Sequence, residues 1–512
     1  MDSDDHKRAL ILCFFQASSA LLDVYTKDEI STYLDKNDLS PSPDHLRRRQ
    51  KGRSDELAAL YLVIAIGGQC RGLHPLDLEY AAKYFARAQQ LAFEGMLCNP
   101  SVNMIRIFLL MAFYMLGACR RNAAFMYLGV ASKAASALGL HRDDQYRNLQ
   151  PEERSIRLRT WKSLRILDML VSSILGRPRD STCTRSDDTP LDDSPGEVMD
   201  SRRLALNATF ELCSLIDGIE QKLLKDNRIE ADAAEEFLRH LRSWGRNLPE
   251  ELCHFRGERI GVSDLVDQEI CVGATHVACV YYFAIILITR PFLISYLMSK
   301  LHQKMSDSVH DAGLDQAQQL QISKLSNVCL DSAIYMSNTC YNAIKSGFLL
   351  NNMCMIKAWV FAAGLVLGFS LFVQGTGSTN EIEEAYDAAR EVLKKISYLS
   401  PQARHYHERL THFSEATAKH QKRHVEQRRK SLNPYVSQIF TIDIDQPEDQ
   451  TYPSPNLGSV DQSTAGVDLT NDLFGINEYP TMQLEDPMAL PFVWDELSID
   501  YQPYDTFWNG IG

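Results

Sequence analysis

No lysine or arginine follows Lys430. The last eighty-two residues hold fourteen Asp and Glu and no basic side chain, so almost all of the net charge of −13 sits there. Residues 1–430 set fifty-three basic side chains against fifty-two acidic ones, a balance of +1. A near-neutral body has no general electrostatic pull on nucleic acid, whose phosphates are met by Lys and Arg.

Also missing is any C-x-x-C pair among the twelve cysteines. They are scattered from Cys13 to Cys354, mostly inside apolar helical patterns. That spacing suits small buried hydrophobes in a reducing compartment, not a disulfide framework or a zinc site. The N-terminal MDSDDHKR is acidic and polar and lacks a signal-peptide layout. No G-x-S-x-G, P-loop, H-E-x-x-H or G-x-G-x-x-G element occurs. An all-α enzyme of the terpene-synthase kind needs carboxylates spaced to hold magnesium and diphosphate. Asp143-Asp144 is followed by Gln-Tyr-Arg, and Asp187-Asp188 lies in a Pro-rich stretch, so neither supports that reading. The sequence assigns no catalytic residue, no metal ligand and no cofactor.

What is present is helical periodicity over most of the chain, which predicts an all-α, multi-helix antiparallel body. Two uncharged runs, Cys271–Thr289 and Ala358–Asn380, reach spanning length, but neither has a convincing basic flank, and buried core helices explain both. The expectation is therefore no membrane. Residues 6–35 show one apolar face in Leu10, Phe14, Ala17, Leu21 and Tyr25. Residues 37–53 read as a loop with Arg47, Arg48, Arg49, Lys51 and Arg53. Four parts follow: 1–53, an N-terminal helix and basic loop; 54–200, a core helical part; 201–430, a second helical part; and 431–512, an acidic, aromatic tail. The DDTPLDDSPGE linker within 183–200 separates the middle two.

The helix with the sharpest boundaries begins at Pro151, which suits a first helical position. Glu152 and Glu153 fall in its first turn, where the helix dipole favours carboxylates. Trp161, Leu164, Leu167, Val171, Ile174 and Leu175 make one face, Gly176 suits a left-handed cap, and Pro178 cannot continue the helix. Asp168 lies three residues after Arg165, the spacing of a local ion pair.

The pattern R-x-R-x-W…D…LGRP over Arg157–Pro178 resembles the central signature of fungal zinc-cluster transcription factors, in their middle regulatory domain. Other landmarks agree in order. Tyr80–Gln89 reads Y-A-x-x-Y-F-x-x-A, Met104–Cys119 is hydrophobic, and Asn122–Arg142 is small-residue-rich and ends L-G-L-H-R. YYFAIILITRPFL carries Arg290 and Pro291 of an I-L-L-x-R-P-F-like string, and Cys329 opens a C-x-x-A-A-like helix with Ser332 for the first alanine. Lys162 departs from a common aromatic. The resemblance covers about residues 54–400. It implies that Trp161, Asp168, Gly176, Arg177, Pro178, Arg290 and Pro291 hold the fold. It also implies a nuclear regulator of RNA polymerase II genes, in the range of nutrient use or local biosynthetic clusters.

The family's DNA-binding part is a six-cysteine module holding two zinc ions, and nothing of that kind lies in these 512 residues. Zinc is expected only if such a module exists elsewhere, and DNA only through it or through a partner. A short basic run, Lys422, Arg423, Arg428, Arg429 and Lys430, reads equally as a solvated helix end or as a nuclear-import signal. In the tail, FVWDELSIDYQPYDTFW alternates acidic and large apolar residues. Same-sign charge and low hydrophobicity predict disorder, with Trp494, Leu497, Tyr501, Phe507 and Trp508 as anchors for a coactivator groove. The alternative for the tail is a segment that packs back on the body. For the chain, it is a decoy or cofactor that homo- or heterodimerises with full-length relatives.

Overall fold

The computed structural model describes residues 4–38, 50–73, 75–93, 100–177, 200–226, 229–254, 265–305, 316–374 and 380–432. Among the described residues every regular element is a helix. In order they are α1 (Asp4–Ser18), α2 (Lys27–Asp38), α3 (Gln50–Arg71), α4 (Pro75–Phe93), α5 (Val102–Gly117), α6 (Arg121–Ala137) and α7 (Pro151–Leu175). There follow α8 (Ser201–Asp226), α9 (Ala231–Arg246), the short α10 (Glu250–Cys253), α11 (Leu265–Met305), α12 (Gln316–Lys345), α13 (Ile356–Gln374), α14 (Asn380–Ile396) and α15 (Pro401–Leu432). A 3-10 turn, Asp143–Tyr146, joins α6 to α7. The chain is all-α, as the periodicity predicts. One buried apolar cluster runs from Leu10 to Leu410.

The single helical stretch expected over 6–35 is two helices. The five apolar residues predicted there are all buried, but the chain turns after Ser18. Ala20 adopts a left-handed φ of 67°, and a helix cannot continue through that conformation. A capping box then starts α2. The Thr26 N–H donates to Glu29 Oε2 at 2.7 Å, and the Glu29 N–H donates to Thr26 Oγ1 at 3.1 Å. This reciprocal pairing satisfies two orphan donors of the new helix.

Of the predicted basic loop, residues 39–49 lie outside the described residues, and Lys51 and Arg53 belong to α3, which begins at Gln50. The helix expected from Ser54 is thus one turn longer at its start. The second helical part opens with two helices, α8 and α9.

α7 matches its sequence signals closely. Pro151 opens it, Glu152 and Glu153 fill its first turn, and Gly176 ends it at φ 63° with its N–H on the Ser172 carbonyl. Trp161, Leu164, Leu167, Val171 and Leu175 are buried. The polar side chains Lys162, Ser163, Arg165 and Asp168 are buried too. Buried polar groups need partners: Lys162 and Arg165 reach Asn207 and Asp217 of α8, and Ser163 takes the Asp23 N–H.

α11 and α13 are the two long apolar runs. Each is long and apolar enough to cross a membrane by length and composition, yet 67% and 72% of their apolar windows are buried inside the fold. Pro291 neither breaks nor ends α11, which continues to Met305. Removing one backbone donor does not outweigh the side-chain burial of Phe292, Leu293 and Leu297 just beyond it.

Candidate functional site

The turn between α1 and α2, residues 19–26, is where four later helices meet. Each sends at least one polar side chain into it. From α5, Arg106 donates through Nε to the Val24 carbonyl at 2.6 Å and through Nη2 to Glu29 at 2.7 Å. Its guanidinium lies 3.6 Å from the Tyr25 ring centroid. From α7, Ser163 Oγ accepts the Asp23 N–H at 2.9 Å. From α11, His276 places Nδ1 2.8 Å from the Ser19 carbonyl.

The fourth side chain is Arg202 of α8. Its Nε donates to Asp23 at 2.9 Å, and Nη1 to the Phe15 carbonyl at 2.6 Å and Glu269 at 3.0 Å. Its Nη2 donates to Ser18 Oγ at 2.8 Å and the Leu22 carbonyl at 2.6 Å. A planar fork of five donors is the chemical group suited to this. The two carboxylates are shared. Asp23 also faces Arg159 at 3.6 Å, and Glu269 takes Lys27 at 2.6 Å.

This arrangement fastens the turn to four helices. The Arg202 donors are all occupied, and among the described residues no group of His, Cys, Asp and Glu is placed to hold a metal ion. The cavity beside Arg202 is about 50 Å³, lined by Ser19, Lys27, Asp200 and Glu269. That holds a few water molecules, not an effector of drug-like size.

Because the Ser19 carbonyl can only accept, His276 Nδ1 carries the proton and the ring is neutral. Burial lowers the His276 pKa to about 4, against a small opposing effect of the Ser19 bond. In the unfolded chain the ring takes a proton near pH 6.5. Between those values the unfolded state binds more protons than the folded one. Stability is therefore full above about pH 6.5 and falls as pH drops towards 4. The expected loss from this group by pH 4 is roughly 3 kcal/mol. Urea unfolding followed from pH 7.5 to 4.5 checks it, since His276→Gln should flatten that part of the profile.

The residues singled out by resemblance stand as follows. Trp161 is 2% exposed and packs near His141, ring centroids 6.5 Å apart. Asp168 is buried on α7. Arg165 reaches Asp217 of α8 at 3.1 Å. Arg177 ties the exit of α7 to the start of α6 by donating to Asn122 Oδ1 at 2.7 Å and lying 5.2 Å from the Phe125 ring. Pro178 lies outside the described residues. Lys162 donates to Asn207 of α8 at 2.7 Å and sits over Phe210. Arg290 and Pro291 lie within α11, and burial lowers the Arg290 pKa. The basic run falls on α15, with Lys422 and Arg423 exposed and Arg428, Arg429 and Lys430 in its last turns. Trp494, Leu497, Tyr501, Phe507 and Trp508 lie outside the described residues.

Sequence reasoning missed Arg106, Arg202 and His276. Only the Thr26-x-x-Glu29 box gave a local sign of the turn they meet on. The junction itself joins residues up to 257 positions apart.

Comparison with known proteins gives a consistent result. Residues 11–201 match the family described as fungal specific transcription factor domain. Filamentous growth regulator 27 of Candida albicans is 23% identical over 373 residues, 68% of this chain and 45% of that protein. Transcription factor FBD3 of Gibberella moniliformis is 25% identical over 240 residues, 42% of this chain and 31% of that protein. The acetamidase regulatory protein of Aspergillus oryzae is 30% identical over 174 residues, 33% of this chain and 21% of that protein. The matched stretches span less than half the length of these relatives. In its ordered helical landmarks and in this match over 11–201, the chain is similar to the fungal specific transcription factor domain family.

Proposed function

We propose that the protein is a nuclear regulator of transcription, with the helical body as its regulatory part and residues 431–512 as an activation segment. The observation that carries this is the family match, joined to a charge division that leaves no base after Lys430. Carboxylate repulsion keeps large apolar side chains in the tail open to a partner, and a coactivator groove takes them as a short helix. The basic end of α15 serves nuclear import in this reading. DNA is reached through a zinc-cluster module or a DNA-bound partner. The genes controlled fall within nutrient use or biosynthesis, a range supported by a relative named for acetamidase regulation.

The test fuses residues 431–512 to an unrelated DNA-binding domain over a reporter. Strong activation is expected. Joint replacement of Trp494, Leu497 and Trp508 by Ala should cut it by about tenfold or more, the loss that follows when aromatic anchors leave a groove. A silent reporter would remove the activation segment from this reading.

A further inference from the structure

The α5–α6 turn ends in a tight C-cap. The Arg120 N–H reaches the Met115 carbonyl at 2.9 Å, and the residue held in the left-handed conformation is Cys119, at φ 62°. That position normally goes to glycine. Cys119 as a residue is half-buried, and its thiol, turned inward, faces three groups brought by distant parts of the chain.

The first is Lys357 of α13, 1% exposed, whose Nζ is 3.2 Å from Cys119 Sγ. The same ammonium donates to the Leu116 carbonyl at the end of α5 at 3.4 Å and to Ser400 Oγ at 3.3 Å. Among the described residues no carboxylate pairs with it. A buried cation with no carboxylate needs another anion, and Cys119 is the ionisable group within its reach.

The second is Ser400, the residue before α15. Its Oγ accepts from Lys357 and from the Ala403 N–H at 3.3 Å, which leaves its own proton to donate to Cys119 Sγ at 3.5 Å. The third is the Gln402 N–H, in the first turn of the 32-residue α15, which also hydrogen-bonds the sulfur. Cys119 thus lies at a helix N-terminus and against an ammonium, the two settings that favour a thiolate.

We propose that Cys119 is a reactive thiolate that small hydroperoxides oxidise, with Lys357 as its activating partner and proton donor. The sulfur attacks one peroxide oxygen, an S–O bond forms and the O–O bond breaks. The sulfur is oxidised by two electrons to a sulfenic acid and the peroxide is reduced. The leaving oxyanion takes a proton from Lys357, giving water or an alcohol and a neutral amine. The ion pair that joined the α5–α6 turn to α13 and α15 is thereby lost.

Among the described cysteines the geometry favours this thiol. Burial opposes the Cys119 thiolate, but the Lys357 charge and the hydrogen bonds from Ser400, Lys357 and Gln402 outweigh it and hold the pKa below the ordinary thiol value. In the same neighbourhood burial dominates at Cys354, which is pushed up to about 12, and at Cys70, which is also raised. Cys253 is exposed, with its sulfur 3.7 Å from the Leu248 carbonyl.

The experiment treats the full chain with hydrogen peroxide, traps sulfenic acid with dimedone and maps the labelled peptides over time. Cys119 should label first, ahead of the more exposed Cys253. Alkylation of the untreated protein between pH 8 and 6 needs no variant. An ordinary thiol slows by about tenfold per pH unit there, whereas Cys119 should slow far less. Lys357→Met should then slow Cys119 labelling by about tenfold or more and restore the ordinary pH dependence, while Cys253 is unchanged. Labelling of Cys253 before Cys119, or a Cys119 profile with the ordinary slope in the wild-type chain, overturns the proposal. So does a folded Lys357→Met protein that reacts as fast as wild type. If that variant does not fold, Ser400→Ala is read in its place, with a smaller slowing expected.

Discussion

Replacing Arg202 with methionine should lower the unfolding free energy by about 3–5 kcal/mol, the range seen when one partner is taken from a buried ion pair. The reason is what remains behind. Asp23 and Glu269 keep only Arg159 and Lys27, each on one side. The carbonyls of Phe15 and Leu22 lose their Arg202 donors in a place where water is scarce. Arg202→Lys should recover little, because an ammonium cannot reproduce five donors in one plane. Urea unfolding followed by far-UV circular dichroism gives the free energies. A loss below about 1 kcal/mol for Arg202→Met, the scale of a surface ion pair, would show that the turn is held by packing alone.

Gly67→Ala should cost about 3 kcal/mol, the upper end of what overpacking does in a core. α1 and α3 cross so closely that a methyl group on residue 67 would overlap the Leu10 backbone carbonyl. Backbone cannot swing aside as a side chain can, so the two helices must separate and open the cluster around Phe14 and Val63. Gly218 in α8 is the control. Nothing lies nearer than 3.8 Å to a Cβ built there, and Gly218→Ala should stabilise by about 0.5–1 kcal/mol through helix propensity. Thermal melts of the two variants beside wild type check both signs. Equal midpoints would remove the close crossing as a determinant of the fold.

The helices were legible wherever local chemistry is strong. α7 shows this, since Pro151 with the acidic first turn, and Gly176, each act within a turn of the helix end that they set. Pro291 by itself signals a kink or a break, and α11 runs on through it because burial beyond it is strong. Ala20 gave no warning at all, since alanine is the best helix former and its left-handed conformation is imposed by the groups that grip the turn. Arg202 and Lys357 show the larger limit. An arginine near the start of a helix and a lysine near the start of an apolar one carry no mark of their partners, which lie up to 187 and 241 residues away. Periodicity reveals which face is covered, never what covers it.

The position of Arg202 has a consequence for where this unit can be cut. The family match stops at residue 201, one residue short of the guanidinium that clamps the match's own first helix. His276, which grips the same bend, stands farther still beyond that border. A polypeptide trimmed to the matched span would keep the lock and discard both keys. The stretch that evolution's statistics delimit and the stretch that can stand by itself are therefore not the same length.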